Sequence, residues 1–300
     1  MGRWILVFSI VAAATVVAAQ QRPAPSSLDR PAPSAAERPL PDFKDFAAKV
    51  RAHLATDQER QSGYVFVERR IEQKIDGAGK VTDESTKVYE VYPGLEGEQR
   101  YRRLIEEDGR RVPADKLEKQ DRERKQEVEE YARQTTQAAS REKHAREIEK
   151  RRRRLSAAID DMFRVYDIKM VRRERIDGHD TIFSTLTPNG VKPQTDDGKI
   201  MTHFNVRAWV SESDYEVVRV EVESIKDMSF GMGVLARVHK GTTAAFERRK
   251  VNNEVWLPAK VTWTGSGRVL LLRHLRLRGI SEFSGYRKFS VDTDWKVNEK

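Results

Sequence analysis

The 300-residue sequence contains no cysteine. That absence excludes a disulfide framework, a thiolate zinc site, an iron–sulfur cluster, a cysteine nucleophile and an acylated lipobox cysteine. Apolar residues are scarce, 38% against 34% charged, yet 11 Phe, 8 Tyr and 5 Trp exclude a wholly disordered chain. A chain of this length can bury a core and form one large domain or two small ones. Catalytic motifs are missing too. The histidines, His53, His144, His179, His203, His239 and His274, stand alone, outside any HExxH or HxH spacing, and read as structural. Neither GxSxG nor SxxK occurs. The acidic pairs Asp160-Asp161, Asp196-Asp197 and Glu106-Glu107 are adjacent in sequence, so their side chains diverge; they read as surface acids. Gly231 to Ala236 fits the text GxGxxA, but β-like sequence follows where a nucleotide fold needs a helix, so it reads as a Gly-rich hairpin or loop. The expectation is a protein without enzymatic activity, metal or cofactor. A hydrolase would need a buried His–carboxylate pair beside a Ser, assembled from distant residues.

Arg3 is followed by an apolar run, Trp4 to Val17, broken only by Ser9 and Thr15. Small residues, Val17-Ala18-Ala19, precede Gln20. The run is short for a membrane span, so residues 1–19 read as a secretory signal peptide, with an uncleaved anchor as the alternative. Either reading places the chain outside the cytoplasm, periplasmic or secreted. Residues 20–42 carry Pro23, Pro25, Pro31, Pro33, Pro39 and Pro41 among Ala and Ser, and read as an extended linker. The folded domain is expected over residues 43–300.

Phe43, Phe46, Ala47, Val50 and Leu54 share one face of a helix, with Asp42 as its N-cap. Tyr64 to Ile75 and Lys80 to Tyr92 read as a hairpin about Asp76-Gly77-Ala78-Gly79, and Gln99 to Glu107 as a third strand. Residues 113–166 form a charged helical insert, started by Pro113 and amphipathic at its end through Leu155, Ile159, Met162, Phe163 and Tyr166. Its run Arg151 to Arg154 reads as a solvated face balanced by Glu142, Glu147 and Glu149, with an anionic membrane surface as the other reading. Strands follow to the C-terminus, with a loop from Pro188 to Gly198; Val218, Val220 and Val222 alternate with Arg219, Glu221 and Glu223. Short turns imply an antiparallel sheet, and few helices imply an α+β fold. Such a sheet twists and curls, and its concave side must be filled.

Candidate lining for an apolar pocket comes from Phe66, Tyr89, Tyr101, Trp209, Met228, Phe230, Met232, Trp256 and Trp263, in or beside the expected strands. Met228, Phe230 and Met232 lie in a Gly-containing segment suited to adaptable packing.

Three phrases carry a resemblance: Ala208-Trp209-Val210-Ser211 with Tyr215 to Glu221, Val255-Trp256-Leu257-Pro258, and Tyr286-Arg287-Lys288-Phe289. With the leader, the N-terminal helix and the meandering sheet, the chain from about residue 43 to 295 resembles the periplasmic lipoprotein-carrier superfamily. The resemblance implies a curved, incomplete barrel with helices across its concave side. It implies a periplasmic carrier that holds a lipid, a lipoprotein acyl chain or another apolar guest. A basic exterior would favour transient contact with anionic membrane, and nucleic acid is not an expected partner. The charged insert departs from the pattern by its length, and no site residue is carried over. The alternative is an envelope structural or regulatory protein that binds a protein partner through the same fold.

Overall fold

The computed structural model describes residues 38–95, 99–136, 138–230, 236–269 and 273–289. The leader, the linker up to residue 37 and Met232 lie outside these residues. Helix α1 is Phe43–Gln61. Strands β1 (Tyr64–Ile75), β2 (Val81–Tyr92), β3 (Tyr101–Glu107) and β4 (Arg110–Arg111) follow. Helices α2 (Ala114–Thr136) and α3 (Ala138–Val165) lead into β5 (Tyr166–Ile176) and β6 (His179–Pro188). A short α4 (Asp196–Met201) precedes β7 (Phe204–Ser211), β8 (Val217–Ser224), β9 (Met228–Phe230), β10 (Ala236–Val238), β11 (Thr243–Val251), β12 (Val255–Val269) and β13 (Arg273–Lys288). Among the described residues no helix is long and apolar enough to cross a membrane.

One sheet runs β4-β3-β2-β1-β13-β12-β10-β9 with β11 also on β12; a second runs β5-β6-β7-β8. Among the described residues every strand pairing is antiparallel. The two sheets meet where β8 reaches β11: Ser224 N–H donates to Thr242 O and Gly241 N–H to Ser224 O, both at 2.8 Å. The result is an open α+β layer with β4 and β5 at its ends. Six register shifts interrupt the pairing. Each shift bends a strand and deepens its twist, which gives the layer its curvature.

Helix α1 starts where Asp42 accepts the amide of Asp45 at 3.0 Å. Phe46 and Val50 pack on Ile182 of β6 and Val210 of β7, with Leu54 half-buried beside them, whereas Phe43 is 43% exposed and leaves the expected face. The end of α3 docks on the same side: Met162 and Val165 meet Leu186 and Ala208. Val206, Ala208 and Val210 therefore line the covered face of β7, and Trp209 points away from it.

The charged insert is two helices. Tyr131 Oη lies 2.9 Å from His144 Nε2. A continuous helix would set residues thirteen apart roughly 20 Å from each other, so the chain doubles back between them. Leu117, Asp121, Arg124, Val128, Tyr131 and Thr135 are the half-buried residues of this stripe of α2, at alternating spacings of four and three. That is the repeat of a two-helix seam. No side chain of α2 is fully buried.

Two surface-acid expectations are corrected. Asp161 is 1% exposed and Asp197 4%. The last turns of α3 press against the segment before α4, where Asp161 accepts the Gln194 amide at 2.9 Å and the Thr195 hydroxyl at 2.7 Å. Thr195 in turn caps α4 by accepting from Gly198 N–H at 2.8 Å. Arg154, read as solvated, forks onto Asp197 at 2.8 and 2.9 Å. Burial would raise the Asp161 carboxyl, but these donors outweigh it and hold the pKa below the ordinary value of 3.8.

A Cβ at Gly198 would stand 2.3 Å from Asp161 Oδ2. Gly198→Ala is therefore expected to cost about 1–3 kcal/mol by forcing that carboxylate off its donors, read as a lower urea midpoint with unchanged m-value. An unchanged midpoint would show that the α3–α4 junction is looser than this packing.

Candidate functional site

The expected lining does not converge on one pocket. Trp209 lies in a ladder on the face opposite α1. Arg172 sits 4.6 Å over Phe183, Phe183 stacks on Trp209 at 4.8 Å, and Arg219 caps Trp209 at 5.2 Å. These four are register partners across β5 to β8, and the indole N–H donates to Glu174 Oε2 at 2.6 Å. Tyr101 also leaves the group, because alternation along β3 sets it opposite Arg102 and Leu104. It lies beneath Arg124 of α2 at 4.9 Å and donates to Gln120 O at 3.3 Å.

Phe66 and Tyr89 share the other face of β1 and β2. Arg100 covers Phe66 at 4.8 Å and Arg70 covers Tyr89 at 5.4 Å. Met228 is core, packed with Phe204, Val220, Val222 and Ala244. Phe230 closes β9. Trp256 is 2% exposed, meets His179 edge to face at 4.9 Å and donates to Asp214 Oδ2 at 2.8 Å. Trp263 lies over Gly279, where a Cβ would come within 2.1 Å of the indole nitrogen. It lines a cavity of 190 Å³ with Leu277, Glu72, Lys74 and Asp83.

Charge occupies much of the space between. Glu68, 2% exposed, accepts Arg70 Nε at 3.0 Å, Arg102 Nε at 2.8 Å and the Ser281 hydroxyl at 3.0 Å. Burial pushes its pKa up, but Arg102 and then Arg70 overcome that and hold the carboxyl below the ordinary 4.5. Nearby Arg100 donates to the carbonyls of Tyr64, at 2.7 Å, and Gln61. Burial, with Arg102 adding repulsion, pushes Arg100 down to about 10.

A second cluster joins α1 to the seam between β8 and β11. Arg248, with its side chain 2% exposed, reaches Asp57 at 2.6 Å and Glu216 at 3.4 Å, and donates to Val217 O at 3.1 Å. Arg60 reaches Glu216 from α1 at 2.5 Å. Burial raises the Glu216 carboxyl; Arg248 pulls it back and Asp57 pushes it up again, leaving it above 4.5. Beside this cluster opens a cleft of 440 Å³ lined by His53, Arg60, Ser213, Asp214, Tyr215, Glu216, Lys250, Asn253, Glu254, Val255 and Trp256. Its volume suits a small ligand, but its wall is far more charged than an apolar guest would select.

His53 and Glu216 bring a His–carboxylate contact beside Ser213, the arrangement that a hydrolase would need. The details oppose it. His53 Nδ1 lies 3.2 Å from Glu216 Oε1 but 2.8 Å from Arg60 Nη1. Accepting from Arg60 places the proton of a neutral ring on Nε2, the reverse of a carboxylate-oriented base. Ser213 Oγ is engaged by Asp214 Oδ1 at 3.0 Å and Ser211 Oγ at 3.2 Å. Among the described residues no group of three His, Asp or Glu side chains could hold a metal. The missed polar residues had one sequence signal: Glu68 stands within the apolar run that opens β1.

No family model matches the chain, and no curated protein matches it. Solved structures similar to it include the superfamily that the sequence resembles. A LolA superfamily protein from Nitrosomonas europaea is 11% identical with a TM-score of 0.28, over 82% of this chain and 94% of that one. An outer membrane lipoprotein-sorting protein domain from Vibrio parahaemolyticus is 9% identical with a TM-score of 0.32, over 81% and 94%. The MucA/MucB complex of Pseudomonas aeruginosa matches at 7% identity and a TM-score of 0.25, over 82% and 99%. At such scores the superpositions carry no argument about ligand or site.

Two outcomes follow from the buried charges. Arg248→Met leaves Asp57 with only the Gln61 amide and Glu216 with Arg60 and His53, and is expected to cost about 3 kcal/mol in chemical denaturation, the low end for a broken buried pair; a loss under a third of that would show the cluster to be solvated. Glu68 has a lowered folded pKa, so its stabilisation is present above pH 4.5 and lost as the pH falls through the folded value. Thermal melts should therefore show wild type losing more stability than Glu68→Gln between pH 5 and pH 3, and parallel curves would contradict this.

Proposed function

We propose that this chain is an exported, non-enzymatic binding protein of the cell envelope whose ligand is another protein. The observation that supports this reading is the polarity of the space that a carrier would keep greasy. A sixteen-carbon chain gains roughly 0.8 kcal/mol for each CH₂ it buries. That gain requires apolar walls. The cleft beside α1 instead offers Arg60, Asp214, Glu216 and Lys250, and the opposite end of the face offers Glu68, Arg70 and Arg102. Stripping water from such groups costs more than an acyl chain returns. A protein surface can answer them with its own charges and amides, and can accept the bridging waters that a polar interface retains.

One observation favours the carrier as a second reading. The 190 Å³ cavity beneath Trp263 and Leu277 has an apolar wall on the α1-bearing face. It is smaller than the roughly 300 Å³ at which small-molecule pockets begin, so a whole acyl chain would have to displace Trp263.

The test is purification of the full chain from its own host after mild crosslinking, followed by parallel protein identification and lipid extraction. A stoichiometric protein partner without bound lipid is expected. Recovery of about one lipid per chain, with uptake of a fluorescent fatty acid quenched by Trp263→Phe, would replace the proposal with the carrier reading.

A further inference from the structure

Between Arg141 and Arg154 the sequence has eight basic residues and three acidic ones. The structure shows how α3 distributes them. His144 meets Tyr131, and Ile148 and Leu155 follow His144 along the same half-buried stripe, so this side of α3 faces α2. At 100° per residue, Lys143, Arg146, Lys150 and Arg153 fall on the opposite side, at spacings of three, four and three. All four are exposed; the side chains of Arg146 and Arg153 are 76% and 79% accessible. The row spans roughly 15 Å along the helix.

No acid interrupts this row. Glu142 and Glu149 sit about a quarter turn to one side, where they reach Arg146 at 2.5 Å and Arg153 at 2.6 Å. Glu147 sits on the other flank. Exposed i, i+4 pairs of this kind are weak and leave the stripe with its excess positive charge. Two other arginines of the run do other work: Arg154 holds buried Asp197 and Arg152 reaches Glu59 of α1 at 3.1 Å. Those contacts fix the base of α3 on the domain and leave the stripe facing outward.

We propose that the outward stripe of α3, Lys143, Arg146, Lys150 and Arg153, docks on the anionic phospholipid surface of a membrane. A straight row of cations on a helix that contributes nothing to the core at this level suits a flat anionic layer. The reading of residues 1–19 as a secretory signal, on which this proposal rests, places the chain beside a membrane and away from nucleic acid. Each Lys or Arg near such a surface contributes about fivefold in partitioning, so four contribute on the order of several hundredfold. The attraction is electrostatic and is screened within a Debye length of about 8 Å at physiological salt.

The test compares vesicles of phosphatidylcholine alone with vesicles containing phosphatidylglycerol, using the full chain in a flotation assay. Stronger binding to the anionic vesicles is expected, falling at least tenfold when salt is raised to half molar. The quadruple variant Lys143→Gln, Arg146→Gln, Lys150→Gln and Arg153→Gln should lose at least tenfold on anionic vesicles. A second variant removes the same charge from α2, at exposed Lys116, Lys119, Arg122 and Arg133, and should stay within twofold of wild type. Circular dichroism checks that both variants keep their helix content. Equal losses in the two variants would assign the effect to net charge and overturn the proposal. Absence of any preference for anionic vesicles would overturn it, as would tighter binding to a DNA duplex than to those vesicles.

Discussion

Arg248 is taken out of water where β8 meets β11, and much of the surrounding arrangement answers the cost of doing so. A buried guanidinium is tolerable only when its charge and its donors are both satisfied. Asp57 comes from α1, Glu216 from the position just before β8, and a carbonyl from Val217 at its start. One side chain therefore sets the docking of α1 together with the join of the two sheets. The same demand recurs at Glu68, which draws Arg70, Arg102 and Ser281 from β1, β3 and β13 into one cluster. Charge pairing across strands does here what apolar contact does at Phe46 and Val50. This is how a chain poor in apolar residues and free of disulfides can hold a large open sheet together.

Much of the fold was legible because its signals are local. Strand β1 runs from Tyr64 to Ile75 as its β-branched and aromatic residues indicate. The following turn is held by the Asp76 carboxylate accepting the amides of Ala78 and Lys80, both at 2.9 Å. The α+β class and the antiparallel pairing follow from such turns. What escaped the sequence depends on distant partners. Helix α4 has six residues, one of them Gly198, and forms where a loop was expected. It is stabilised by Asp161, more than thirty positions upstream, and a propensity argument has no access to that contact. The reversal between α2 and α3 lies in a stretch with neither Gly nor Pro, where the poor helix formers Thr135, Thr136 and Ser140 are the one compositional mark.

The aromatic residues show a second limit. Alternation correctly sets Trp209 and Val210 on opposite faces, but periodicity does not say which face the helices cover. Helix α1 chose the side of Ile182 and Val210, and Trp209 was left to stack in a ladder of rings and guanidinium groups. Such a ladder is a way of sealing an outer face: each arginine shields a ring from water while keeping its own charge solvated. Arginine also covers rings on the inner face, at Phe66 under Arg100 and Tyr89 under Arg70, where the guanidinium groups are themselves partly buried. Four of the aromatic residues that resemble a ligand pocket in sequence, Phe66, Tyr89, Tyr101 and Trp209, become platforms for arginine.

That substitution bears on what this fold can hold. A curved sheet with helices on one side encloses a volume, and composition decides whether the volume stays empty. Leucine and isoleucine lining would leave a dry hollow with little to lose by admitting an acyl chain. Arginine reaches across such a hollow with a long stem and ends in donors that demand acceptors. Once Arg70, Arg102 and Arg248 have found Glu68, Asp57 and Glu216, the space is occupied by bonds that a hydrocarbon cannot replace. In the function proposed above, the architecture serves recognition in place of storage, and the exposed cations of α3 stand on its outside.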